Sequence, residues 1–68
     1  MNNYVKQKRL DLEMTQSDLA KKIGVSRQTI YAIETKKYDP SVTLALKIAV
    51  TFSTNVEDLF ALEKVDWD

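Results

Sequence analysis

Thr15-Gln16-Ser17-Asp18-Leu19-Ala20-Lys21-Lys22-Ile23-Gly24-Val25-Ser26-Arg27-Gln28-Thr29-Ile30-Tyr31-Ala32-Ile33-Glu34 reads as two short helices joined by a tight turn. Thr15 is an N-cap candidate, because its hydroxyl can accept from the orphan amides of Ser17 or Asp18. Asp18 falls in the first turn, where a negative charge suits the helix dipole. Leu19, Ala20 and Ile23 make the inward face, and Gly24 stands where a helix ends in a left-handed residue. After Val25, Ser26 is a second N-cap candidate and opens a helix from Arg27 to about Glu34. Ile30 and Ile33 face inward at i and i+3, which leaves Arg27, Gln28, Tyr31 and Ala32 off that face. In such a pair the second helix presents an outer face that no neighbour covers.

The flanking sequence supplies three more helices. The first spans about Asn3 to Leu12, with Val5, Arg9 and Leu12 on one face. Pro40 and Ser41 stop and cap the approach to a fourth, whose apolar stripe is Leu44, Ala45, Ile48, Ala49 and Phe52. Asn55 is expected to cap a short fifth helix that buries Val56, Leu59 and Phe60. Residues 61–68 read as no clear helix, and Leu62, Val65 and Trp67 suit a strand or a docking segment. The expected architecture is all-α and compact. One domain spans residues 1–68, with a five-helix core to residue 60 and a short, extended tail at 61–68.

Composition removes several function classes. The chain has 68 residues, no Cys and no His. A domain that small buries only about 60% of its unfolded surface, so a deep substrate cavity is hard to build. Thiolate nucleophiles, imidazole bases and the usual zinc ligands are absent, and neither enzyme activity, cofactor nor metal is expected. There is no apolar run of about 20 residues and no signal peptide, so a cytoplasmic protein away from membranes is expected. Ten basic residues balance ten acidic ones, but not evenly. Residues 1–27 carry six basic against three acidic side chains, residues 28–47 three against two, and residues 48–68 one against five.

The segment Met14 to Glu34 resembles the helix-turn-helix of the Cro/phage-repressor (XRE) family. Tyr38-Asp39-Pro40-Ser41 with Leu44-Ala45-Leu46-Lys47-Ile48-Ala49 is similar to the fourth helix of its small bacterial members, and the likeness runs from about Val5 to Phe60. The resemblance implies a lambda-repressor-like fold and a sequence-specific, DNA-binding transcriptional regulator, a repressor by default. It makes Gln16 a phosphate contact and Gln28 a base-reading residue, with Arg27 and Tyr31 on the same face. Glutamine can bond adenine N6 and N7 together, and arginine can bond guanine O6 and N7. Arg27 is also open to a phosphate contact. Ser26, Thr29, Lys36, Lys37 and Tyr38 are expected near the DNA backbone, where they fix register without reading sequence. Arg9 and Glu34 match a partly buried ion pair between the first and third helices. Glu13 and Thr35-Lys36 stand where glycine commonly closes a helix, and both sites call for a left-handed residue.

Family members pair as homodimers on palindromic sites, so double-stranded DNA and a second copy are the expected partners, with no small-molecule ligand. Phe52, Val56, Leu62, Val65 and Trp67 are the expected dimer contacts, and the tail is read as able to strand-pair with Asn2-Asn3-Tyr4. Packing of the tail on its own monomer is the other reading. The competing function is a protein-interaction module, such as an antitoxin or an antirepressor partner, which the near-neutral charge favours.

Overall fold

A computed structural model describes residues 1–68. Hydroxyl caps set the starts of three helices. Thr15 Oγ1 accepts the Asp18 N–H at 3.0 Å while Asp18 Oδ2 accepts the Thr15 N–H at 2.9 Å, a reciprocal capping box. Ser26 Oγ accepts the Thr29 N–H at 3.2 Å, and Ser41 Oγ accepts the Leu44 N–H at 3.1 Å. The helices are α1 (Val5–Asp11), α2 (Gln16–Ile23), α3 (Arg27–Glu34), α4 (Val42–Thr51) and α5 (Val56–Leu59). None is long and apolar enough to cross a membrane. Asn55 precedes α5 as expected, but its side chain makes no capping hydrogen bond.

Helix ends follow one pattern. Gly24 is left-handed at φ 77°, and the Val25 N–H reaches back to the Ala20 carbonyl at 3.0 Å. The same closure recurs after α1, α3 and α4, where Met14, Lys37 and Thr54 donate to Arg9, Ala32 and Ala49. The left-handed residues there are Glu13, Lys36 and Ser53, none of them glycine. Glu13 and the Thr35-Lys36 site were expected; Ser53 was not. α1 therefore stops before Leu12, which is half exposed rather than on the inward face.

Twelve buried side chains make one core. Val5 from α1, Leu19, Ala20 and Ile23 from α2, and Ile30 and Ile33 from α3 meet Leu44, Ile48 and Ala49 from α4, with Phe52, Leu59 and Phe60 closing the end. Phe52 is only 6% exposed, so this expected dimer contact belongs to the monomer's interior instead.

The N-terminal boundary of α1 also differs from expectation, because Asn2–Asn3 is a strand, β1. It pairs antiparallel with β2 (Phe60–Ala61), Asn2 opposite Ala61 and Asn3 opposite Phe60. Asn3 then leads into α1, its Oδ1 accepting the Val5 N–H at 3.2 Å and its Nδ2 donating to the Ile33 carbonyl at 2.9 Å. The expected N-terminal pairing thus forms within one chain and uses Phe60–Ala61. The residues beyond turn into a short 3-10 helix, Lys64–Trp67, leaving Leu62, Val65 and Trp67 exposed.

Two outcomes follow. Beyond its two chain neighbours nothing lies within 4 Å of where a methyl at Gly24 would sit, so Gly24→Ala pays only for its left-handed backbone and should lose about 1–2 kcal/mol in urea unfolding. The Thr15 backbone N–H, and after it the Thr15 hydroxyl, hold the Asp18 carboxyl below the usual carboxylate range. A depressed carboxyl contributes stability above that range and loses it as pH falls through it. Urea midpoints should therefore drop below about pH 4, and Asp18→Asn should make that drop shallower. Some slope remains, because Lys36 holds Glu63 low and the Glu63 backbone N–H holds Asp66 low.

Candidate nucleic-acid interface

Ile30 and Ile33 are wholly buried and clamp the inner side of α3 against α2 and the core. Periodicity then forces the opposite side outward. Arg27, Gln28 and Tyr31 are exposed there, as their spacing predicts. Thr29, one position further, is partly buried. Its hydroxyl shares a hydrogen bond with Ser26 Oγ at 3.0 Å, so the cap and the first turn of α3 lock each other.

The C-terminal end of α3 is fixed by charge. Arg9 Nε donates to Glu34 Oε2 at 2.7 Å and Arg9 Nη2 to Glu34 Oε1 at 3.2 Å. The remaining guanidinium nitrogen, Nη1, donates to the Met14 carbonyl at 2.8 Å. Both side chains are nearly excluded from solvent, at 7% and 3% exposure. The expected ion pair is present, and it extends further than the sequence indicated. Gln16 Nε2 donates to Glu34 Oε1 at 3.1 Å, and Gln16 Oε1 accepts from Arg27 Nη1 at 3.4 Å. One carboxylate thus orients the side chain at the start of α2, which in turn contacts the first residue of α3. No spacing in the sequence signals this relay, because its members come from three helices.

Other expected positions divide. Lys37 Nζ lies 5.8 Å from the centre of the Tyr31 ring, a cation–π distance that brings a cation onto the exposed side of α3. Tyr38 borders a shallow depression shared with Gln28, Thr29 and Ala32. Lys36 departs from the group. Its left-handed backbone sends Nζ to Glu63 Oε1 at 2.8 Å, beside the chain's first residue and the tail. Gln16, Ser26, Arg27, Gln28, Thr29, Tyr31, Lys37 and Tyr38 therefore cluster about α3, and Lys36 is engaged elsewhere.

This arrangement is a short helix held rigidly from behind, with polar and cationic side chains in front. The profile of the helix-turn-helix family matches residues 5–65. Curated relatives are similar along nearly their whole length. An uncharacterized HTH-type transcriptional regulator of Methanocaldococcus jannaschii is 57% identical over 63 residues, 93% of this chain and 96% of its own. YgzD of Bacillus subtilis, described in the same words, is 47% identical over 64 residues, covering 94% of this chain and 97% of its own. Among solved structures, the N-terminal DNA-binding domain of SinR from Bacillus subtilis superposes with a TM-score of 0.76 at 26% identity, over 88% of each chain. A hypothetical transcription factor from Neisseria has a TM-score of 0.74 at 20% identity, and the match spans 79% of this chain and 61% of that one. The chain belongs to the helix-turn-helix family of the Cro/phage-repressor (XRE) type.

Removing one partner of a buried ion pair leaves the other charge desolvated and alone. Arg9→Met or Glu34→Leu singly should cost about 3–5 kcal/mol in urea unfolding, and the double variant distinctly less than the sum. Additive losses would show that the two charges stand independently.

Proposed function

We propose that this chain is a sequence-specific, double-stranded-DNA-binding transcriptional regulator, acting as one domain over residues 1–68. The observation that carries the reading is the exposed polar face of α3, fixed from behind by Ile30, Ile33 and the Arg9–Glu34 pair. A helix of this kind enters the major groove, with its N-terminal residues at base edges. Gln28 suits adenine and Arg27 suits guanine, while Tyr31 lies on the same side. Gln16, Ser26, Thr29, Lys37 and Tyr38 contact the backbone, joined by Lys36 when it exchanges Glu63 for a phosphate. The likeness to the N-terminal DNA-binding domain of SinR and to relatives named as HTH-type transcriptional regulators supports this.

One such helix reads few base pairs, and pairing two doubles the site. In this reading the chain binds a palindromic operator as a homodimer, with half-sites about 34 Å apart. The exposed Leu62, Val65 and Trp67, with the partly buried Val56, supply apolar surface for the second copy. The protein acts in the cytoplasm, and covering a promoter gives repression by exclusion of polymerase. The balanced net charge favours a second reading, an interaction module with weak DNA affinity.

Selection of bound DNA from a random library tests this, with wild type run beside Gln28→Ala. The expected result is a palindromic consensus for wild type, relaxed at one position per half-site in the variant by about 1–3 kcal/mol. Affinity should also fall steeply with salt, as phosphate contacts require. Absence of enrichment at moderate salt would favour the interaction module.

A further inference from the structure

Two surfaces away from α3 are chemically complementary, and they do not meet within one chain. The first is a groove between the end of α2 and the outer face of α4. Ile23, Leu46 and Val50 line it together with Lys21, Lys22 and Lys47, and no acidic side chain borders it. Leu46 is 52% exposed and Val50 77%, so a neutral apolar strip lies open between three cations. The second surface is the tail. Leu62, Val65 and Trp67 are exposed and interleave with Glu63, Asp66 and Asp68. No tail residue borders the groove. Within its own chain the tail is held outside the groove, by Glu63 to Lys36 and by Asp66 to the Met1 amino group.

We infer that the tail of one copy docks in the α2–α4 groove of a second copy, and reciprocally. This rests on the homodimer reading above and specifies its contact. The apolar side chains of the tail cover Leu46 and Val50, and its carboxylates face Lys21, Lys22 and Lys47. Glu63 and Asp66 already have partners, but a carboxylate has lone pairs for more than one donor. Reciprocity follows from the chemistry, since each copy carries one groove and one tail. A twofold axis closes both contacts, whereas a head-to-tail arrangement leaves one of each open. Area favours the closed form. A stable interface takes about 800 Å² from each partner, a large share of the chain's 4692 Å², and reciprocal docking counts each groove and each tail. Trp67, the one tryptophan of the chain, is of the residue type that most often anchors interfaces.

The test is sedimentation without DNA, with Trp67 emission followed through dilution. Wild type should be a dimer whose emission moves to the red as it dissociates. Lys22→Glu/Lys47→Glu should weaken association by more than about tenfold, through like charges at the contact. Asp66→Lys/Asp68→Lys should do the same. A mixture of the two variants should recover dimers, because each groove then meets a tail of opposite sign. Recovery also shows that both variants are folded. Undiminished dimers in both variants, or loss in each without recovery on mixing, would overturn the groove contact and leave the homodimer reading standing. A wild type that stays monomeric with constant Trp67 emission would overturn both.

Discussion

The Arg9–Glu34 pair is the constraint from which the rest of the architecture takes its alignment. It joins the first helix to the last turn of the third across 25 residues, inside a domain whose core is small and takes a single side chain, Val5, from α1. Arg9 is also the one charged residue that is buried as a whole, backbone included. No buried side-chain nitrogen or oxygen lacks a partner, so the penalty of desolvating the pair is offset by a hydrogen bond at each nitrogen of Arg9 and each carboxylate oxygen of Glu34. A buried ion pair of this kind adds little net stability over well-packed apolar residues, but loss of either partner leaves a desolvated charge, so the two helices are bound to each other as long as both charges are present.

That alignment has a directional result. Glu34 accepts from Arg9 on one side and from Gln16 on the other, and Gln16 accepts from Arg27. A group anchored in the interior is thereby connected through two hydrogen bonds to a side chain on the outer face. Side chains held by a supporting shell lose less freedom when they engage a ligand. The zero net charge of the chain is no obstacle to an anionic partner, because the field that matters is local. Basic residues prevail before residue 28 and acidic ones after residue 47, so the two ends of the chain present different signs.

Much of this was legible from neighbours in sequence. The caps at Thr15, Ser26 and Ser41 and the left-handed Gly24 depend on bonds spanning a few residues, and residue type fixes them. The core positions of α2, α3 and α4 follow from helical period, and the exposed face of α3 is its complement. What escaped depends on distant partners. A strand at Asn2-Asn3-Tyr4 is open from the sequence, but its expected partner there is the tail beyond Phe60, and helical spacing carries α1 back to Asn3. The register with Phe60–Ala61 shows only once the fold sets them side by side. Lys36 looked free until the fold brought Glu63 within 2.8 Å. Phe52 fits an apolar stripe equally well as core or as interface, and only the closing of α5 over the domain's end decides for the core. The link from Glu34 to Gln16 joins positions 18 apart and leaves no trace in spacing.

The strand pair that joins the beginning of the chain to Phe60–Ala61 carries a consequence for the order of assembly. Two residue pairs are a small gain for closing a loop of nearly the whole chain, and loop closure grows costlier with length. The helices, whose contacts are mostly between sequence neighbours, must come together first and bring the two segments within reach. The ladder is therefore the last element to form and the first to open. Opening it unpairs Asn3 from Phe60 and frees the Tyr4 N–H from the Leu59 carbonyl. The seam between the two ends is thus where the molecule gives way most readily, and because Asn3 also holds the Ile33 carbonyl, that opening reaches the last turn of the helix that faces outward.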